Sequence, residues 1–130
     1  MIGSEDPIAS YRFGAFELRA QPATLMLNHD VVALPSQPLR LLLELVRRRS
    51  KIVTHDEIHS LLWPDQNIDA TGRIHTCIRQ IRRALDDDNG DPRFIETVPR
   101  MGYRFVGDVE PGRDQEQPGR IAKPVTSYRW

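Results

Sequence analysis

Four arginines fall on the stretch RIHTCIRQIRRAL, residues 73–85, in a chain whose formal net charge is zero. Ile74, Ile78, Ile81 and Leu85 recur at helical spacing, so one face of a predicted helix is apolar. A turn of about 100° per residue sets Thr76, Arg79 and Arg83 nearly opposite that stripe. Arg73 and Gln80 then lie on one flank, Arg82 and His75 on the other, and the stretch holds no carboxylate. Such a face suits the major groove of duplex DNA. Arg offers paired donors to guanine, Gln reads adenine, and a Thr methyl touches thymine. Neighbouring guanidinium groups neutralise phosphates on the groove walls. The base-reading candidates are therefore Arg73, Thr76, Arg79, Gln80 and Arg83. The bland alternative is a solvated surface face, because Arg is also a good helix former.

The charge is local rather than global. Of 18 basic residues 16 are Arg, and only Lys51 and Lys123 are Lys. Arg is the side chain whose planar fork matches phosphates and base edges. The acids gather elsewhere, at Asp86, Asp87, Asp88 and Asp91. Residues 10–106 carry 14 bases against 12 acids, which predicts modest non-specific affinity and a real dependence on base contacts or dimerisation.

Other chemistries fare worse. HDEIH (55–59) sets two histidines at metal-site spacing, but Glu57 belongs to a capping box and no third ligand is near, so no metal is expected. DDDNGD fails as a calcium loop, because aligning Gly90 puts Leu85 where an acidic ligand is required. Cys77 is the single cysteine, which excludes an internal disulfide and suits a reducing cytoplasm. Cys77 and His75 diverge on a helix, and no phosphate loop or paired carboxylates stand out, so neither enzyme nor cofactor is expected. No apolar run spans a bilayer, and MIGSEDPIAS is no signal peptide.

The elements that position the arginine helix follow from pattern. YRFGAFEL (11–18) reads as an aromatic strand with Gly14 marking a bulge, and TLMLNHDVVAL (24–34) as two short strands around a turn. Ser36 is placed to cap a first helix whose stripe is Leu39, Leu42, Leu43 and Val46. KIVT is a short extended piece, and Thr54 with Glu57 forms the capping box of a second helix ending near Trp63–Pro64. Asp69 or Thr71 caps the third helix, about 70–86. FIETV and YRFV, joined by PRMG, form a hairpin over 94–106, with Phe105 inward and Tyr103 or Arg104 outward. Domain limits are expected at 1–10 for a flexible arm, 11–107 for the folded unit, and 108–130 for a disordered tail or truncated linker.

Over residues 11–107 the chain resembles the winged-helix effector domain of the OmpR/PhoB type, also found in ToxR/CadC-like regulators. The resemblance rests on VPRMGYRFV, on ALPSQPLRLLLELVRR, on VTHDEIHSLLWP, on the Ile-x-x-x-Ile-x-x-Ile-Arg-x-x-Leu pattern and on GDPRFIETV. It implies an α+β fold: a four-stranded N-terminal antiparallel sheet, a three-helix core with a helix-turn-helix, and a C-terminal β-hairpin wing. It also implies a cytoplasmic, nucleoid-associated bacterial regulator that binds double-stranded promoter DNA, as a homodimer on direct repeats. The third helix would enter the major groove and the wing the minor groove. By position, Trp63, Arg82, Thr97 and Tyr103 would meet the phosphate backbone, with Arg104 a further candidate. Loop 64–70, with Asp65, Gln66 and Asn67, would touch RNA polymerase. Pro99 stands where a basic residue often follows the Val, leaving Arg100 as the minor-groove candidate. No receiver domain precedes the unit and no membrane segment follows it within the 130 residues. Two further readings are a protein-interaction module that engages polymerase or a partner regulator, and a DNA-binding fragment of a longer sensor.

Overall fold

The computed structural model describes residues 9–67, 69–87 and 93–112. Aromatic and β-branched residues at the N-terminal end form β1 (Ser10–Phe13), β2 (Phe16–Ala20), β3 (Ala23–Leu27) and β4 (Asp30–Val31). The YRFGAFEL run is two strands, not one. Gly14 takes φ +59° in the turn, and β1 pairs antiparallel with β2, setting Phe13 opposite Phe16. A continuous strand would send Phe13 and Phe16 to opposite faces, whereas the hairpin buries both, with ring centroids 5.8 Å apart. The β3–β4 turn is the pair Asn28–His29, both at positive φ, the geometry that matches strand twist in a two-residue hairpin.

The helices follow their stripes. They are α1 (Ser36–Arg47), α2 (His55–Leu62) and α3 (Thr71–Leu85). Ser36 is not a cap: Pro35 occupies that position, and no side chain closes the helix start. Thr54 does cap α2, its hydroxyl accepting from the Glu57 backbone N–H while the Glu57 carboxylate accepts from the Thr54 N–H. These bonds, with Arg48 nearby, hold the Glu57 carboxyl below its ordinary range. Ahead of α3, Ala70 is the capping position, and the Asp69 carboxylate accepts from the Thr71 N–H at 3.1 Å.

A second, three-stranded antiparallel sheet runs in the order β5 (Ile52–Thr54), β7 (Gly102–Phe105), β6 (Ile95–Val98). The wing is therefore not a lone hairpin, since KIVT supplies its third strand. Gly102 sits where β7 crosses β5 so closely that a Cβ would lie 2.0 Å from the Val53 carbonyl oxygen. The first sheet also gains a strand from the expected tail. β8 (Glu110–Gly112) pairs antiparallel with β1, giving the order β4-β3-β2-β1-β8. Ordered chain thus extends at least to Gly112, and Ala9 and Ser10 at the other end join the same pairing. The rest of both expected terminal segments lies outside the described residues.

Buried Leu41, Leu42, Leu45, Ile58, Ile74, Ile78, Ile81 and Leu85 form the inter-helix core. Phe13, Phe94 and Phe105 weld the first sheet to the wing, with Phe13 edge-on to both partners at 5.5 and 5.1 Å. The result is an α+β winged helix-turn-helix whose wing and α3 share one edge.

Candidate nucleic-acid interface

The burial of α3 divides it as its periodicity predicts. Ile74, Cys77, Ile78, Ile81 and Leu85 are buried, while Arg73, His75, Thr76, Arg79 and Arg83 are exposed and Gln80 is half-buried. Burial pushes the Cys77 thiol up, so it stays protonated in the core.

Two concavities flank this face. The first, about 530 Å³, lies between α3 and the wing and is lined by His75, Arg79, Arg82, Arg83, Thr97 and Tyr103 among others. The second, about 470 Å³, runs along the other flank, where Arg73, Thr76 and Gln80 face Trp63 and the start of α1. The face therefore has a wall of wing residues on one side and a wall of loop and α1 residues on the other.

Not every candidate is equally available. Arg82 is half-buried and bridges α3 to β6. Its Nη2 donates to the Ile95 carbonyl at 3.0 Å and to Thr97 Oγ1 at 2.8 Å, while its buried Nε has no partner among the described residues. Arg104 is committed across the wing: its Nε donates to Glu96 Oε1 at 2.9 Å, and the two residues are paired in register. Tyr103 is not outward-facing. It is 3% exposed, its ring 5.7 Å from that of His55, and burial pushes its phenol up against the opposing pull of Arg82. An edge-to-face neighbour and the β5 pairing hold it in place, and it lines the groove as a buried side chain. Trp63 is likewise 5% exposed, with the Arg73 guanidinium 5.8 Å from its ring centroid. Arg79 and Arg83 have no ion-pair or hydrogen-bond partner among the described residues and project from the centre of the face.

The wing tip has the pattern of a type II turn, with Pro99 second, Arg100 third at φ +68°, and the Met101 N–H donating to the Val98 carbonyl at 3.0 Å. That third position ordinarily falls to Gly. In loop 64–70 Asp65, Gln66 and Asn67 are exposed, and Gln66 Oε1 accepts from Arg73 Nη1 at 3.2 Å.

Two contacts carry no signal in the sequence. His55 of α2 lies against His75 of α3, ring centroids 6.5 Å apart, and His75 lines the wing-side groove. By sequence Asp87 is only one of the acids gathered beyond the arginine helix. Its carboxylate in fact accepts from the backbone N–H groups of Arg93, Phe94 and Ile95, fixing how the chain enters β6. The hydrophilic run around it gave no signal for that. Residues 88–92 of the loop lie outside those described.

Among the described residues no helix is long and apolar enough to cross a membrane. Residues 29–105 match the family model described as "Transcriptional regulatory protein, C terminal". A cholera toxin homolog transcriptional activator of Vibrio parahaemolyticus is 34% identical over 84 residues, covering 64% of this chain and 29% of that protein. The response regulator DrrB of Thermotoga maritima, an OmpR/PhoB homolog, superposes with a TM-score of 0.68 at 30% identity, over 76% of this chain and 45% of that one. The Klebsiella pneumoniae RstA DNA-binding domain, solved in complex with the RstA box, shares the fold with a TM-score of 0.65 at 24% identity, over 75% and 96% of the two chains. This chain spans less than half the length of the curated relatives it matches.

Proposed function

Because this chain belongs to the family of transcriptional regulatory protein C-terminal domains, we propose that it is a sequence-specific, non-enzymatic binder of promoter DNA. The observation that carries this reading is the carboxylate-free face of α3, with Thr76, Arg79 and Arg83 exposed between two flanking walls. In this reading α3 enters the major groove. Arg79 and Arg83 read guanine or hold phosphate, while Thr76 and Gln80 contribute base-edge contacts. Arg82 and Thr97 stand at the wing-side phosphate wall, which buried Tyr103 and the Arg104–Glu96 pair support from within, while buried Trp63 backs the loop-side wall. Arg100 reaches the minor groove. A non-glycine residue at positive φ is costly, and the presence of Arg at this exposed wing-tip position supports a use for that side chain.

The exposed carboxylate of Asp65 and amide of Asn67 make the α2–α3 loop the surface proposed for RNA polymerase. Binding as a homodimer on direct repeats supplies the affinity that the small charge excess does not. The cytoplasm is the proposed location, with the single cysteine buried and reduced.

Salt dependence tests this economy of charge. Five cations, Arg73, Arg79, Arg82, Arg83 and Arg100, belong to the proposed face, and the two with protein partners are bonded to neutral groups that leave their charge intact. Titrating a random duplex too short to hold two copies from low to high salt should give a log–log slope of about −3 to −4.5, near 0.9 per neutralised phosphate. A slope of about −6 or steeper would mean that many phosphates outside this face are engaged, and the proposed interface would be wrong.

A further inference from the structure

We infer that Gln66, in the loop between α2 and α3, is a positioning residue for Arg73 and so a determinant of DNA affinity in its own right. This rests on the DNA-binding reading of α3 and deepens it.

Arg73 stands at the start of α3 with no carboxylate on its helix to hold it. A free Arg side chain there would sample many rotamers, and binding would have to freeze them. Two contacts from outside the helix limit this sampling. Gln66 Oε1 accepts from Nη1 at 3.2 Å, and the Trp63 ring lies 5.8 Å from the guanidinium carbon. The two contacts come from either side of Pro64–Asp65, so one short loop grips the guanidinium. Trp63 is buried and its backbone N–H donates to the His59 carbonyl at 2.8 Å, so the ring is anchored to the end of α2. The Gln66 N–H donates to the Trp63 carbonyl at 3.2 Å, which ties the amide-bearing residue back to the same anchor.

The choice of an amide suits the task. Gln supplies an acceptor without adding a negative charge beside a phosphate-facing surface, which Glu would do. Because Gln66 occupies one donor nitrogen, the remaining N–H groups of Arg73 stay available on the flank that faces Thr76 and Gln80. The guanidinium is thus pre-placed at the loop-side wall of the reading face. The loop whose Asp65 and Asn67 are proposed to meet polymerase also sets a DNA-contacting cation.

A double-mutant cycle tests the inference. Dissociation constants are measured by fluorescence anisotropy on a labelled duplex from the pool enriched by the wild-type chain, for wild type, Gln66→Ala, Arg73→Ala and the double variant. Gln66→Ala should weaken binding about three- to tenfold, the range for freeing one rotamer-rich side chain. It should have no further effect once Arg73 is already Ala. Thermal midpoints should match throughout, because Gln66 is exposed. Equal losses from Gln66→Ala with and without Arg73 would mean that Gln66 contacts DNA by itself, and the positioning role would be wrong. No loss from either single variant would also overturn it while leaving DNA binding by the chain intact. If the wild-type chain enriches no duplex, the DNA-binding reading fails and this inference fails with it.

Discussion

Gly102→Ala should cost at least about 3 kcal/mol of folding stability, a large share of the roughly 5–15 kcal/mol available to a domain of this size. An added Cβ would lie 2.0 Å from the Val53 carbonyl oxygen and 2.8 Å from the Thr54 Cα. Both are backbone atoms of the paired strand, so neither can swing aside as a side-chain tip would. β5 and β7 must separate, and with them the pairings of Ile52, Val53 and Thr54 to Arg104, Tyr103 and Gly102. Thr54 is also the N-cap of α2, so strain at one wing glycine reaches the helix that supports α3. Gly72→Ala is the matched control, with nothing within 4 Å of its added Cβ, and should be neutral or slightly stabilising. Urea titration of both variants decides the point. A Gly102→Ala midpoint close to wild type would contradict the close approach of β5 and β7.

The second large effect is expected at Arg82, where stability and binding meet. Arg82→Ala removes the two bonds from Nη2 that latch α3 to Ile95 and Thr97 of β6. Hydrogen bonds from a charged donor contribute about 1.5–3 kcal/mol in total for a site of this kind. The variant also loses a cation at the phosphate wall, so DNA affinity should fall more than tenfold at temperatures where the protein stays folded. Arg82→Lys separates the two roles, since it keeps the charge but not the fork. It should recover part of the affinity and little of the stability. Binding by Arg82→Ala equal to that of wild type would remove Arg82 from the interface and leave it a purely structural clasp.

The helices were legible because burial repeats every turn. The stripe Ile74, Ile78, Ile81 and Leu85 predicted both the extent of α3 and the face that stays exposed. The α2 capping box was legible for the same reason, as a local pattern of residue types. What escaped was non-local or amphipathic. β8 reads Glu-Pro-Gly and carries no alternation, so only its pairing with β1 across the chain makes it a strand. KIVT looked merely extended because its partner lies some fifty residues on. Gly102 read as a turn residue, but the turn is Val98–Met101 and Gly102 opens β7, where its demand for space comes from β5. Tyr103 and Trp63 have apolar bodies and polar tips, so residue type alone could not decide between surface and core. The Gln66–Arg73 bond runs from a loop residue to a helix residue, where helical periodicity does not apply.

The central claim is that the exposed face of α3 reads base sequence. Selection from a random duplex pool, with wild type beside Arg79→Ala and Gln80→Ala, tests it most directly. Wild type should enrich a defined motif at physiological salt, and each variant should lose or relax preference at particular positions of it. Unchanged motifs in both variants, or no enrichment by wild type, would contradict the claim and turn attention to the loop and sheet surfaces as protein-binding sites.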